Sequence, residues 1–183
     1  MTPESSWDLK KFADRIRGLD FETFRQRHPD PFLLILKHEQ GTATAFRTGK
    51  VNVAPAARTP PPGPGASPAS SDRLVAIRKS DRNAFRNMIS LGRTPNNDIV
   101  VDHPSISKLH AFFQVLPDGP AIALTDSSSS NGTTVDGKRL KPHKAAPLES
   151  GQSVVFGGAV NTVFLTPEGL HEHIRSLLFF KKL

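Results

Sequence analysis

The sequence predicts a mainly β protein: an antiparallel β-sandwich with a small N-terminal α+β extension and a C-terminal helix. Residues 73–166 consist of short apolar segments separated by Asn, Asp, Gly and Pro. Turn residues that recur in this way are typical of an antiparallel sandwich. The Asp136-Gly137 pair predicts a tight hairpin, because both residues tolerate a positive φ. A change of composition before residue 73 marks the boundary of this domain.

That change is the stretch "APAARTPPPGPGASPASSD", residues 54–72, which is rich in Pro, Gly, Ala and Ser. It lacks the large apolar side chains that build a core, so we expect a partly extended linker. The linker divides the chain into an N-terminal segment, residues 1–53, and the sandwich domain, residues 73–166.

The N-terminal segment begins with apolar residues at helical spacing. They are Leu9, Phe12, Ile16 and Leu19. Asp20 can cap a second short helix that ends before Pro29. The stretch "PFLLILKHE" then predicts a buried strand, joined around Gly41 to a more polar strand, "TATAFRTGKV". The segment is too small to be stable alone, so we expect it either to extend the sandwich or to dock a fixed partner.

Residues 167–183 predict a C-terminal amphipathic helix. Its apolar face is expected to contain Leu170, Ile174, Leu177 and Leu178.

The composition of the chain excludes several kinds of functional site. The chain has 183 residues, a formal net charge of +7 and no cysteine, which excludes disulfides, thiolate metal sites and cysteine nucleophiles. No apolar run is long enough to span a bilayer, so we expect no membrane partner. The N-terminus has charges where a signal peptide would need its apolar centre, and cysteine is absent, so we expect a cytoplasmic protein. The positive charge is spread along the chain and there is no tyrosine, so nucleic acid is not the favoured partner.

Four motifs follow one another inside the predicted sandwich. They are "SLGRTPNNDIVV" (90–101), "SISKLHAFF" (105–113), "LTDSSSSNGTTVDG" (124–137) and "LESGQSVVFGG" (148–158). In this order the series resembles the forkhead-associated (FHA) domain over residues 73–166. The resemblance implies a β-sandwich of about eleven strands whose loops at one end bind phosphothreonine peptides.

The same resemblance assigns a role to five side chains. Arg93, Ser107 and Lys108 would hold the phosphate, Ser130 would add a contact, and Asn131 would bind the peptide main chain. These residue types suit the ligand, because a phosphothreonine carries roughly −1.5 to −2 charges and three acceptor oxygens. A guanidinium at the end of a strand, hydroxyls and an amide are matching donors.

Each of these residues also has a simpler interpretation. Arg93 and Lys108 could be solvated surface cations, and Ser107 a turn residue. Ser130 lies in a run of four serines that could be a flexible polar loop, and Asn131 could serve only the turn.

The spacing of Ser107 and His110 also allows a catalytic pair, in which the serine is the nucleophile and the histidine is its base. The resemblance instead makes His110 structural: its ring hydrogen-bonds to backbone and fixes the loop that presents Ser107. It gives Gly92, Gly132 and Thr133 structural roles as well. A catalytic pair would also need an orienting acid and an oxyanion site, which the sequence does not indicate.

The remaining histidines show no metal-ligand spacing, and the sequence indicates no cofactor. We therefore expect a non-catalytic adaptor that binds a phosphothreonine-containing protein, either a Ser/Thr protein kinase or a substrate of one. Two alternatives stay open: a phosphate-independent FHA scaffold that acts through the N-terminal segment or the sheet faces, and a nucleic-acid binder. Self-association through modification of Thr59-Pro60 or Ser67-Pro68 in the linker also stays open.

Overall fold

The computed structural model describes residues 6–37, 72–116 and 122–180. The strand predicted at "TATAFRTGKV" and the linker, apart from Asp72, lie outside the described residues. Within them the chain forms twelve β-strands and three α-helices. The mainly β fold, the helical N-terminal extension and the C-terminal helix predicted from the sequence are confirmed.

The elements follow one another from the N-terminal segment into the sandwich. In chain order they are β1 (Ser6–Asp8), α1 (Leu9–Ile16), α2 (Phe21–Arg27), β2 (Phe32–Ile35), β3 (Arg73–Ala76), β4 (Ile89–Gly92), β5 (Ile99–Val100), β6 (Ala111–Val115), β7 (Ile122–Asp126), β8 (Thr133–Val135), β9 (Lys138–Arg139), β10 (Ala146–Pro147), β11 (Ser153–Phe156), β12 (Val160–Leu165) and α3 (Pro167–Phe180).

The strands form two sheets. The seven-stranded sheet has the order β1-β3-β2-β12-β11-β8-β9, and the five-stranded sheet has the order β10-β7-β6-β4-β5. Neighbouring strands are antiparallel except β4 and β5, which run parallel. In the β8–β9 hairpin, Asp136 and Gly137 have φ of +46° and +76°, as the sequence predicts.

β2 lies inside the seven-stranded sheet, although it comes from the N-terminal segment. It is hydrogen-bonded to β12 on one edge and to β3 on the other. Both edges of Phe32–Ile35 are therefore occupied by strands of the sandwich. The N-terminal segment contributes an internal strand of the sandwich.

The side chains of β2 alternate between two apolar cores, as the period of a strand requires. Leu33 belongs to the core between the two sheets. Phe32 and Leu34 belong to a second core on the opposite face of the seven-stranded sheet, where α1, α2 and α3 pack. A strand that is buried on both faces is expected to consist of consecutive apolar residues, as "FLLI" does.

Local signals explain the helix boundaries. The side chain of Asp8 accepts from the backbone N–H of Lys11 and caps α1, and that of Asp20 caps α2 by accepting from Thr23. In α3, Leu170 and Ile174 are buried. Leu178 packs against the second core as a partly buried residue, whereas Leu177, on the same predicted face, is 37% exposed.

No helix in residues 6–37, 72–116 or 122–180 is long and apolar enough to cross a membrane. The same ranges contain no group of three His, Cys, Asp or Glu side chains that could hold a metal ion.

Candidate functional site

Three loops of the sandwich meet through hydrogen bonds. Residues 93–98 follow β4, residues 101–110 connect β5 to β6, and residues 127–132 connect β7 to β8. The backbone N–H of Arg93 donates to the carbonyl of Ser107 at 2.9 Å, which joins the first loop to the second. The second and third loops are joined by the bonds of Ser107 and Ser130 described below.

Arg93 is exposed and directly follows the buried end of β4. Its Nε donates to the carbonyl of Ile106 at 3.2 Å, which fixes the direction of the guanidinium. Among the described residues, no hydrogen bond or ion pair involves its two terminal nitrogens. The guanidinium is therefore positioned by the protein and still has donors for a ligand.

Gly92 allows this close approach of the loops. A Cβ at this position would overlap the backbone carbonyl of Lys108 and would lie 2.7 Å from Nδ2 of Asn97. The same carbonyl accepts from Asn97 Nδ2 at 2.7 Å and from Thr94 Oγ1 at 2.9 Å. The backbone of Lys108 is thus fixed, while its side chain is exposed.

Ser107 and Ser130 face each other across two loops. The hydroxyl oxygen of Ser107 accepts from the backbone N–H of Ser130 at 3.1 Å, and the two hydroxyl oxygens are 3.5 Å apart. Asn131 follows Ser130 and donates through Nδ2 to the carbonyl of Ser105 at 2.8 Å. Its Oδ1 accepts no hydrogen bond from another described residue and can accept one from a ligand.

His110 is fully buried and fixes two of these loops. Its Nδ1 accepts from the backbone N–H of Ser107 at 3.1 Å, and its Nε2 lies 3.2 Å from the carbonyl of Gly132. Nδ1 must therefore be unprotonated, and Nε2–H donates to Gly132. Burial lowers the pKa of His110, although Gly132 and Asp126 partly oppose the effect, so the ring is neutral at pH 7.

Ser107 and His110 are not arranged as a nucleophile and its base. The ring of His110 contacts the backbone of Ser107, and the hydroxyl of Ser107 contacts Ser130 instead. The serine is presented as a hydrogen-bonding group, and the histidine holds the backbone that carries it.

Two buried carboxylates also hold the loops of the candidate site in place. Asp126 accepts from the backbone and hydroxyl of Ser129 at 2.9 and 2.7 Å and from the hydroxyl of Thr133 at 2.6 Å. Burial raises the pKa of Asp126, but these hydrogen bonds outweigh burial and lower it overall. The loop that carries Ser130 and Asn131 is thereby held at both of its ends.

Asp98 holds the loop that follows Arg93. Its carboxylate accepts from Lys79 Nζ at 2.9 Å and from the backbone N–H of Ser90 at 2.8 Å. The hydrogen-bond donors around it outweigh the effect of burial and keep the pKa of Asp98 far below its ordinary value.

The structure thus brings Arg93, Ser107, Ser130 and Asn131 together through direct hydrogen bonds, and Lys108 adjoins Ser107 in the same loop. Sequence reasoning gave no role to two further features of this region. One is Asn97, which is buried and fixes the carbonyl of Lys108. The other is Arg139, whose guanidinium lies against Gly132. The doubled asparagine of "NNDIVV" is the signal that could have indicated the first; a lone arginine in a hairpin gives no comparable signal.

Comparison with known proteins supports the resemblance drawn from the motifs. Residues 89–157 match the family model described as "FHA domain". The FHA domain-containing protein PS1 of Arabidopsis thaliana is 31% identical over 91 residues, which are 50% of this chain and 6% of that protein. Nuclear inhibitor of protein phosphatase 1 of Homo sapiens is 29% identical over 107 residues, 58% of this chain and 30% of that protein. The matched region is thus a minor part of either relative.

Among solved structures, Mycobacterium tuberculosis EmbR in complex with a low affinity phosphopeptide is 28% identical. The match covers 44% of this chain and 20% of that one, with a TM-score of 0.39.

Proposed function

Residues 89–157 form an FHA domain, and from this premise we propose that the chain is a non-catalytic adaptor that binds phosphothreonine peptides. Arg93, Ser107 and Lys108 bind the phosphate, Ser130 adds a contact, and Asn131 binds the peptide main chain. The partner is a protein phosphorylated on threonine by a Ser/Thr protein kinase, either the kinase itself or one of its substrates.

The observation that carries this proposal is the arrangement of Arg93 beside the Ser107–Ser130 pair. A fixed guanidinium with free terminal donors lies on a loop that is bonded directly to the loop bearing a serine hydroxyl. A phosphate oxygen needs donors of this kind, and bonds to a charged group are about twice as strong as neutral ones.

Charge explains why the phosphate is required. The three ion pairs found in the part of the chain that the structure describes include neither Arg93 nor Lys108. An unphosphorylated threonine offers these cations no counter-charge, whereas a phosphate offers roughly two negative charges. We expect dissociation constants on the order of micromolar, since a few loop contacts must offset the ordering of a flexible peptide.

Fluorescence polarisation against a degenerate phosphothreonine peptide library tests the proposal. The same library without phosphate and with phosphoserine provides the ligand controls. Wild type is expected to bind the phosphothreonine library selectively, and Arg93→Ala is expected to weaken binding by about 30-fold or more, because a charge-assisted bidentate contact is lost.

Arg25→Ala is the matched control, since Arg25 is an exposed arginine on α2, and no ion pair found in the described part of the chain joins its side chain to the three loops. Equal binding of phosphorylated and unphosphorylated peptides, or full affinity in Arg93→Ala, would favour the phosphate-independent scaffold instead. Such a scaffold could not use the outer face of the seven-stranded sheet at α1, α2 and α3, because the helices cover it.

A further inference from the structure

Arg139 lies on a rigid hairpin beside the candidate site. It is the last residue of β9 and is paired with Thr134 of β8. The turn of this hairpin is tied to β11, because Asp136 donates its backbone N–H to the carbonyl of Ser153 and accepts from the N–H of Ser153, each at 2.9 Å. The backbone that carries Arg139 is therefore fixed.

The guanidinium of Arg139 extends from this hairpin to Gly132. A Cβ on Gly132 would overlap Cζ and Nη2 of Arg139 and would lie 2.9 Å from Nε, so only a glycine leaves room for it. Gly132 is buried and has a φ of +79°. Its carbonyl accepts from the N–H of Gly157 at 2.9 Å, so the surface on which the guanidinium lies is itself held in place.

This placement brings a cation next to the residue proposed to bind the peptide main chain. Asn131 precedes Gly132, and consecutive Cα atoms are about 3.8 Å apart. A side chain of a peptide bound at Asn131 is consequently within reach of the guanidinium.

The charge of Arg139 has no partner in the described ranges of the chain. Its side chain is exposed, and none of the ion pairs or side-chain hydrogen bonds found there involves its guanidinium. Asp136, on the same hairpin, accepts from Ser153, and the buried Asp126 accepts from Ser129 and Thr133. Five donors of a planar fork are thus available to an acceptor from outside.

We propose that Arg139 binds a second anionic group of the phosphopeptide, a carboxylate or a second phosphate, on the side of the phosphothreonine that faces the β8–β9 hairpin. The inference rests on the proposed function and adds a determinant of peptide specificity to it. Both sources share the planar pair of acceptor oxygens that a guanidinium binds best.

Two peptide series test the proposal, each built on one phosphothreonine peptide with alanine at every flanking position. In the first series an aspartate is placed at each flanking position in turn, and in the second a further phosphothreonine is placed there. Affinities are measured by isothermal titration calorimetry for wild type, Arg139→Ala, Arg139→Lys and Lys138→Ala.

Lys138→Ala is the matched control, because Lys138 is the neighbouring exposed cation of β9 and successive side chains of a strand point to opposite faces. The Lys138→Ala variant loses one positive charge from the hairpin, as Arg139→Ala does, but it keeps the guanidinium that lies against Gly132.

At one flanking position or two adjacent ones, wild type is expected to prefer aspartate over alanine by about five-fold. A second phosphate there is expected to add about ten-fold, because it offers more acceptors and more charge. Arg139→Ala abolishes the preference and binds the alanine peptide as wild type does. Arg139→Lys retains part of the preference, and Lys138→Ala retains all of it.

The outcomes separate this inference from the proposed function. Failure of wild type to bind any phosphothreonine peptide overturns both. Phosphothreonine binding without any positional preference, or a preference that survives in Arg139→Ala, overturns the inference alone. An equal loss of affinity for all peptides in Arg139→Ala, with an unchanged thermal melting curve, would also overturn it, because Arg139 would then serve the main phosphate.

Discussion

Replacing Asp98 by asparagine removes a charge that holds the loop following Arg93, while the shape of the side chain is kept. The carboxylate is buried, and seven hydrogen bonds reach its two oxygens. The donors are Lys79 Nζ, Ser80 N, Ser80 Oγ, Asn83 Nδ2, Ser90 N and Ser90 Oγ, with the Lys79 ammonium reaching both oxygens.

The loss of stability in Asp98→Asn can be estimated from these hydrogen-bond partners. The backbone N–H of Ser80 donates to Oδ1 and that of Ser90 donates to Oδ2, so an asparagine amide must turn its NH₂ group towards one of them. One backbone donor, buried at Ser90 or partly buried at Ser80, then has no acceptor, which costs about 1–3 kcal/mol. The lost charge-assisted bond to Lys79 adds about 1.5–3 kcal/mol, at the lower end because Lys79 is partly exposed and can be hydrated. We expect Asp98→Asn to lower the free energy of unfolding by about 3–4 kcal/mol.

Urea denaturation followed by tryptophan fluorescence measures this change, with Trp7 as the reporter in the second core. Asp102→Asn is the control, because Asp102 is an exposed aspartate just after β5 and should change stability by less than about 0.5 kcal/mol. A loss below about 1 kcal/mol in Asp98→Asn would refute the argument that this carboxylate holds the loop.

Two further predictions concern the histidine and the N-terminal strand. Because the pKa of His110 is lower in the folded protein than its ordinary value of 6.5, the unfolded chain binds more protons below that pH, and the free energy of unfolding should fall as the pH drops below about 6.5. The difference between wild type and His110→Gln in denaturation series at pH 7.5 and 5.5 isolates this effect; an identical pH dependence in both would contradict it. Leu33→Ala should cost about 2–5 kcal/mol, because Leu33 is fully buried in the sandwich core, whereas Leu36→Ala, at a side chain 39% exposed, should cost much less. Similar small losses in both variants would show that β2 is not an integral strand.

Local features of the fold could be predicted from the sequence because they depend on neighbouring residues. The positive φ at Asp136 and Gly137 and the capping of α2 by Asp20 are properties of a few adjacent positions. The position of β2 between β3 and β12 could not be predicted in this way. Its continuous apolar run indicates that both faces are buried but does not tell which distant strands form its two edges.

In the candidate site, too, some residues could be predicted from the sequence and others could not. Motif spacing indicated Arg93, Ser107 and Asn131, because these residues lie in short loops with a recognisable order. The contact between Arg139 and Gly132 depends on how a long side chain lies across a hairpin and on the absence of a Cβ on another loop. Periodicity contains no information about such a contact, so it became visible only in the structure.

The proposed phosphopeptide site is tested most directly by mapping the binding surface with ¹⁵N–¹H NMR while a phosphothreonine peptide is titrated into the full chain. We expect the largest shifts at the backbone amides of Arg93, Ser107, Lys108, Ser130 and Asn131, and no shifts there with the unphosphorylated peptide. Shifts that occur instead on α1, α2 or the sheet faces, or that do not depend on the phosphate, would contradict this expectation.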